Sequence, residues 1–138
     1  MRILIDTNVV LDIILKREPF FEASYRALRL ALERDEECFI SATAATDIFY
    51  VLRKSFQSRE MAKAHLHSLS QLAQFTDVQA IDIANALISD MGDFEDAVVD
   101  AVATRIGADY VLTRNVTDFQ GATVAAIPPS DFIERQQD

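Results

Sequence analysis

A single cysteine, Cys38, among 138 residues excludes an intramolecular disulfide framework and fits a reducing compartment. It sits in Cys38-Phe39-Ile40, the company of a small buried hydrophobe. No apolar run approaches the roughly 18–20 residues that a membrane-spanning helix needs. Asp6 and Asp12 interrupt the apolar N-terminus, so a signal-peptide pattern is missing too. These absences predict a cytoplasmic protein with no membrane segment. Basic residues are scarce: 13 Lys and Arg stand against 22 Asp and Glu, a net charge of −9. A bare surface of that sign is ill suited to non-specific phosphate-backbone binding. An enzyme acting on nucleic acid stays open, because bound divalent cations reverse the local charge of a carboxylate site. The same charge predicts attraction to a basic partner. Internal repeats, linkers and low-complexity segments are absent, and the length suits one domain over residues 1–138.

What is present begins with Arg2-Ile3-Leu4-Ile5, then Asp6-Thr7-Asn8. A short, apolar, β-branched run reads as a buried central strand. Ligands in open α/β sheets bind outside the carboxyl ends of strands, which is where Asp6 stands. Asp6 or Asn8 acting only as a helix cap is the competing reading. Val9 to Lys16 follows as a short helix. Pro19 suits the first turn of a second, with Phe21, Tyr25, Leu28 and Leu32 on its inner face. Asp35-Glu36-Glu37 reads as a solvated loop. Cys38 to Ser41 is a second strand, followed by a helix burying Ala44, Ile48, Val51 and Leu52. Ser58 can cap a fourth helix; its His65 and His67, two apart, cannot share a metal. Phe75 to Ile81 reads as a third strand. Asp82 then caps a short helix with Ala84, Leu87 and Ile88 inward. A helix over Asp93 to Ile106 ends at Gly107. Strands over Asp109 to Leu112 and Thr123 to Ile127 follow, and Ser130 or Asp131 opens a last helix. Alternating strands and helices predict an α/β fold: a three-layer α/β/α sandwich around a parallel sheet of four to five strands.

Four carboxylates fall at strand ends or helix starts. Asp6 follows the first strand, and Asp47 lies one turn into the helix after the second. Asp96 lies in the first turn of its helix, and Asp118 in the turn after the fourth strand. A parallel sheet brings Asp6, Asp47 and Asp118 to one edge, and Asp96 joins them if its helix points its N-terminus the same way. Asp93 and Glu95 read more simply as a cap and a solvated acidic face near a helix N-terminus. Clustered carboxylates resist joint ionisation, and a divalent cation removes that penalty. All-oxygen ligation suits Mg²⁺ or Mn²⁺ rather than Zn²⁺, and such ions serve phosphodiester chemistry.

The ordered set Ile3-Leu4-Ile5-Asp6-Thr7-Asn8-Val9, Ile40-Ser41-Ala42-Thr43-Ala44-Ala45-Thr46-Asp47-Ile48, Asp93-Phe94-Glu95-Asp96-Ala97 and Tyr110-Val111-Leu112-Thr113-Arg114-Asn115 with Asp118-Phe119 resembles a PIN domain. The resemblance spans essentially the whole chain. It implies an Mg²⁺- or Mn²⁺-dependent endoribonuclease of the VapC toxin kind, held inactive by a small antitoxin and often dimeric. Carried over position by position, it implies Asp6, Asp47, Asp96 and Asp118 as the catalytic set. Asp6, Asp96 and Asp118 would hold the metal, and Thr7, Thr113 and Asn115 would support them. Two positions depart from the family pattern. Asp47 stands where Glu is common, and Asn115 where many relatives have Asp, leaving Asp118 as the fourth carboxylate.

Two other readings compete. Aspartyl-phosphate folds also place Asp after the first strand, but haloacid-dehalogenase-like phosphatases want a second Asp where Asn8 stands. Receiver domains want a further acidic pair and a Lys that are not evident. A non-enzymatic PIN-like protein, with its weakened site serving RNA docking or protein association, is the third. The helix-rich stretch Phe20 to Ala73 carries more apolar residues than a small sheet must cover, which predicts a homodimer.

Overall fold

The computed structural model describes residues 1–136. Five strands, β1 (Arg2–Ile5), β2 (Glu37–Ser41), β3 (Gln74–Thr76), β4 (Tyr110–Leu112) and β5 (Ala125–Ile127), form one sheet in the order β3-β2-β1-β4-β5. All four pairings are parallel. β1 is central because it is buried on both faces. Ile3 and Ile5 enter the core shared with α1 (Thr7–Ile14), α2 (Phe21–Glu33), α3 (Ala42–Phe56), α4 (Arg59–Ser70) and α7 (Pro129–Gln136). Leu4, on the other face, packs with α5 (Ala80–Leu87), α6 (Phe94–Arg105) and a 3₁₀ turn over Val116–Phe119. The three-layer parallel sandwich expected from the alternating pattern is the fold observed. The chain leaves β1 toward β2 and β3 and returns on the other side to β4 and β5. Strand order therefore reverses between β1 and β4, where open α/β sheets form a crevice.

The acidic run before β2 does more than face solvent. Glu36 pairs with the amino terminus, and Glu37 starts β2 and takes Arg2 Nε at 2.7 Å. Helix α2 buries Ser24, Ala27 and Ala31 rather than the expected Tyr25, which is 45% exposed. Small residues there let α2 lie close against α1 and α7. Strand β3 stops at Thr76 instead of continuing to Ile81, because Arg105 Nη2 takes the Asp77 carbonyl at 2.8 Å and draws the chain off the sheet. Asp82 is not the cap of α5. Gln79 is, with Asp82 three residues on completing a capping box. Asp82 is fully buried and holds Arg105 Nε at 3.0 Å, which fixes the inner face of α5 as Asp82 and Ala86. Leu87 and Ile88, expected inward, are 70% and 82% exposed. His65 stacks on Phe56 at a centroid distance of 4.9 Å, and His67 faces solvent. Gly107 closes α6 at φ +71°, a conformation that favours glycine.

Candidate active site

Asp6 leaves the end of β1 with its backbone N–H still in the sheet, donating to the Leu112 carbonyl at 2.9 Å. Its carboxylate does two jobs. Oδ1 accepts the Thr7 N–H at 2.8 Å and opens α1; Oδ2 accepts the Thr113 hydroxyl at 2.9 Å and the Asn8 amide at 3.3 Å. Cap and site position are thus one residue. The Thr113–Asp6 bond crosses the β1/β4 switch point. Thr113 is fully buried and its Oγ1 also accepts the Asn115 N–H at 3.1 Å. Asn8 adds a second link through its Oδ1, which accepts the Arg114 N–H at 3.4 Å.

Beside Asp6 opens a cleft of about 570 Å³. Thr7, Asp47, Asp96 and Asn115 line it with Asp6, so five of the residues singled out from sequence share one cavity. Asp47 is exposed on the α3 wall, just beyond Ser41, whose Oγ accepts the Ala44 N–H at 3.3 Å and caps that helix. Asp96 is set by the start of α6, where the Asp93 carboxylate accepts its N–H at 3.0 Å. Asp118 is exposed on the 3₁₀ turn and lines a neighbouring depression with Asp93 rather than the cleft itself. Its charge still reaches both Asp6 and Asp96.

Two of the carboxylates, Asp6 and Asp96, hold a proton more tightly than a free carboxyl does. Burial pushes the Asp6 pKa up; the hydrogen bonds from Thr113 and Thr7 oppose that, and the Asp118 charge adds to it. Asp96 is pushed up to about 6, by desolvation first and then by Asp6, Asp93, Asp118 and Glu95. Such a surplus of negative charge suits a cation. Among the described residues, no three Asp, Glu, His or Cys side chains form a ready-made cage. One or two carboxylates with water completing the shell is the ligation typical of Mg²⁺.

Several contributors were hidden in sequence. Glu95 reads there as solvated but lines the cleft and raises Asp96. Asp100 shares the α6 acidic spacing with Asp96, yet it is buried and accepts the Thr123 and Val124 N–H groups at 3.0 and 2.9 Å, steering the chain into β5. Asp12 is fully buried and takes Arg114 Nε at 2.7 Å. Arg114 also lies over the Phe20 ring at 4.2 Å. Asp12 is the buried member of this pair and Arg114 the part-exposed one; leaving a buried charge without its partner costs up to about 3–5 kcal/mol. The one sequence signal for this pair is a charged residue, Asp12, inside an otherwise apolar helix.

A parallel α/β sandwich with paired carboxylates at its switch point defines a broad class of sites. The PIN domain family model matches residues 2–117, and the chain belongs to the PIN-domain family. No protein of curated function matches it in sequence. Similar solved structures include VapBC2 from Rickettsia felis bound to a promoter DNA fragment, with a TM-score of 0.73 and 17% identity over 93% of this chain and 98% of that one. FitAcB from Neisseria gonorrhoeae has a TM-score of 0.67 and 22% identity over 92% and 97% of the two chains. The sarcin–ricin-loop-cleaving toxin VapC20 of Mycobacterium tuberculosis has a TM-score of 0.62 and 19% identity over 79% and 86%. At these identities the likeness is one of fold. Among the described residues, no helix is long and apolar enough to cross a membrane.

Proposed function

We propose that this chain is a divalent-cation-dependent endoribonuclease and the toxin of a toxin–antitoxin pair. The observation that carries this reading is the gathering of Asp6, Asp47 and Asp96 on one cleft at the switch point, where burial raises the pKa of Asp6 and of Asp96 and the Asp118 charge adds to both. Family membership supports it. So do fold neighbours, among them a toxin–antitoxin complex from Klebsiella pneumoniae and a toxin that cleaves the sarcin–ricin loop.

In this reading Asp6 and Asp96 would hold Mg²⁺ or Mn²⁺; Asp118, expected from sequence as a third ligand, lies in the neighbouring depression and would add its charge from the ion's open side. The bound cation supplies charge neutralisation at the phosphate and lowers the pKa of water. Asp47, exposed on the cleft wall, positions the attacking water and accepts its proton. Thr113 holds Asp6 in one rotamer through its hydroxyl, and Thr7 fixes the other carboxylate oxygen through its N–H. Asn115 faces the cleft, where it can donate to a phosphate oxygen. Water attack on phosphorus breaks the bond to the 3′-oxygen, which leaves and takes a proton. The products are a 5′-phosphate and a 3′-hydroxyl. The expected result is RNA cleavage by the purified chain in Mn²⁺ that stops in chelator. Cleavage that persists in chelator, or none in either condition, contradicts the reading; the latter outcome favours a docking module.

Two partners belong to the proposal. A small antitoxin with a basic segment suits the −9 charge. A second copy of this chain suits α5 and its C-cap, where Ile81, Leu87 and Ile88 are exposed apolar side chains that a partner would cover. Light scattering should report a dimer, and Leu87→Glu a monomer. A monomeric wild type at high concentration contradicts the dimer.

A further inference from the structure

Among the described residues lining the acidic cleft, one is basic: Arg17, in the turn between α1 and α2. Its backbone is fastened on both sides. Its N–H donates to the Asp12 carbonyl at 3.0 Å, and its own carbonyl accepts the Phe20 and Phe21 N–H groups at 3.0 and 2.8 Å. The side chain is less committed. Asp12 already has a counter-ion in Arg114, through Nε at 2.7 Å and Nη2 at 3.4 Å. Arg17 Nη1 stands 3.7 Å from the same carboxylate, beyond hydrogen-bond reach, and the side chain is 38% exposed. One buried carboxylate and two guanidiniums leave one positive charge over. That surplus lies at a cleft wall whose other charged residues are acidic.

We infer that Arg17 is a phosphate anchor: it binds a backbone phosphate of the single-stranded RNA flanking the cleaved bond. The inference rests on the ribonuclease reading and extends it to how substrate enters an acidic cleft. Asp12 attracts the guanidinium from behind without saturating it. The planar donor fork suits a phosphate, and the pinned turn limits the conformational freedom lost on binding. With the carboxylates neutralised by a cation, Arg17 sets where the strand lies. It takes no part in bond breaking.

The test measures binding of a short randomised 2′-O-methyl RNA in Mn²⁺ across a salt series, with the probe checked for integrity afterwards. Arg17→Ala keeps Asp12 paired with Arg114, and its melting temperature and Mn²⁺-induced shift should match wild type. Its affinity should fall about tenfold, as for a lost hydrogen bond to a charged group. The slope of log affinity against log salt should flatten by about 0.7, the value for one single-strand phosphate contact. Arg17→Lys should keep the wild-type slope. Wild-type binding that Arg17→Ala reproduces in affinity and slope overturns the anchor and leaves the ribonuclease reading standing. Absence of Mn²⁺-dependent binding by wild type overturns both. Should Arg17→Ala melt lower, Arg17→Gln, which keeps the side-chain stem, carries the same slope test.

Discussion

Asp6→Asn is expected to lower Mn²⁺-supported RNA cleavage by at least about a hundredfold, since even outer-shell partners of a metal ligand are worth about 10–100-fold. The substitution keeps much of the local structure. An Asn carbonyl oxygen can still accept the Thr113 hydroxyl or the Thr7 N–H, so the opening of α1 survives. It removes the charge at the one carboxylate tied to both strands at the switch point. Unchanged circular dichroism with lost cleavage is the expected pair of observations. Wild-type-like cleavage by the purified variant would remove Asp6 from the catalytic set and leave it a helix cap.

Asp96→Asn should melt higher than wild type in chelator near neutral pH. The Asp96 pKa of about 6 lies above the 3.8 of an unperturbed carboxyl, so the folded state holds its proton more tightly than the unfolded state. Stability from this group is present at low pH and is lost as pH rises through about 4 to 6. Above that window the metal-free wild type carries the full repulsion from Asp6, Asp93 and Asp118. The variant's advantage should therefore shrink as pH falls below 6. Added Mn²⁺ reverses the order. A ligand at a hundredfold excess over its Kd stabilises the folded state by about 2.7 kcal/mol, roughly 5 °C or more for a domain of this size. Wild type should show that shift and Asp96→Asn much less of it. Asp35→Asn is the control. Asp35 lies in the turn before β2 at φ +55°, which Asn tolerates equally, so neither quantity should move. If Asp96→Asn melts lower without metal and keeps the full Mn²⁺ shift, Asp96 is a helix-start carboxylate and nothing more.

The elements that sequence foretold best are those where one physical signal acts alone. The Ile3-Leu4-Ile5 run is apolar on both faces because both faces are covered, and Gly107 marks the end of α6 because its φ is positive. The convergence of Asp6 and Asp47 on one cleft follows from parallel strands, whose ends share an edge, and Asp96 joins them because α6 starts at that edge. Misreadings arose where a buried charge overrode periodicity. Asp82 and Arg105 turned the apolar residues of α5 outward, and Asp12 sits inside the core of α1 because Arg114 arrives from β4's end, 102 residues away. A lone charge in an apolar helix marks Asp12, but nothing local in the chain names the distant partner of either carboxylate. Asp118 stands between these cases: its turn was foreseen, but it faces a neighbouring depression and reaches the site by charge rather than by contact.

The central claim is that the carboxylates around Asp6 form a cation site. Crystals soaked in Mn²⁺ and measured for anomalous scattering test it most directly. The account predicts a peak bounded by Asp6 and Asp96, with Asp118 on its open side, that vanishes in Asp6→Asn crystals. A wild-type crystal with no peak there, or a peak that persists in Asp6→Asn, contradicts it.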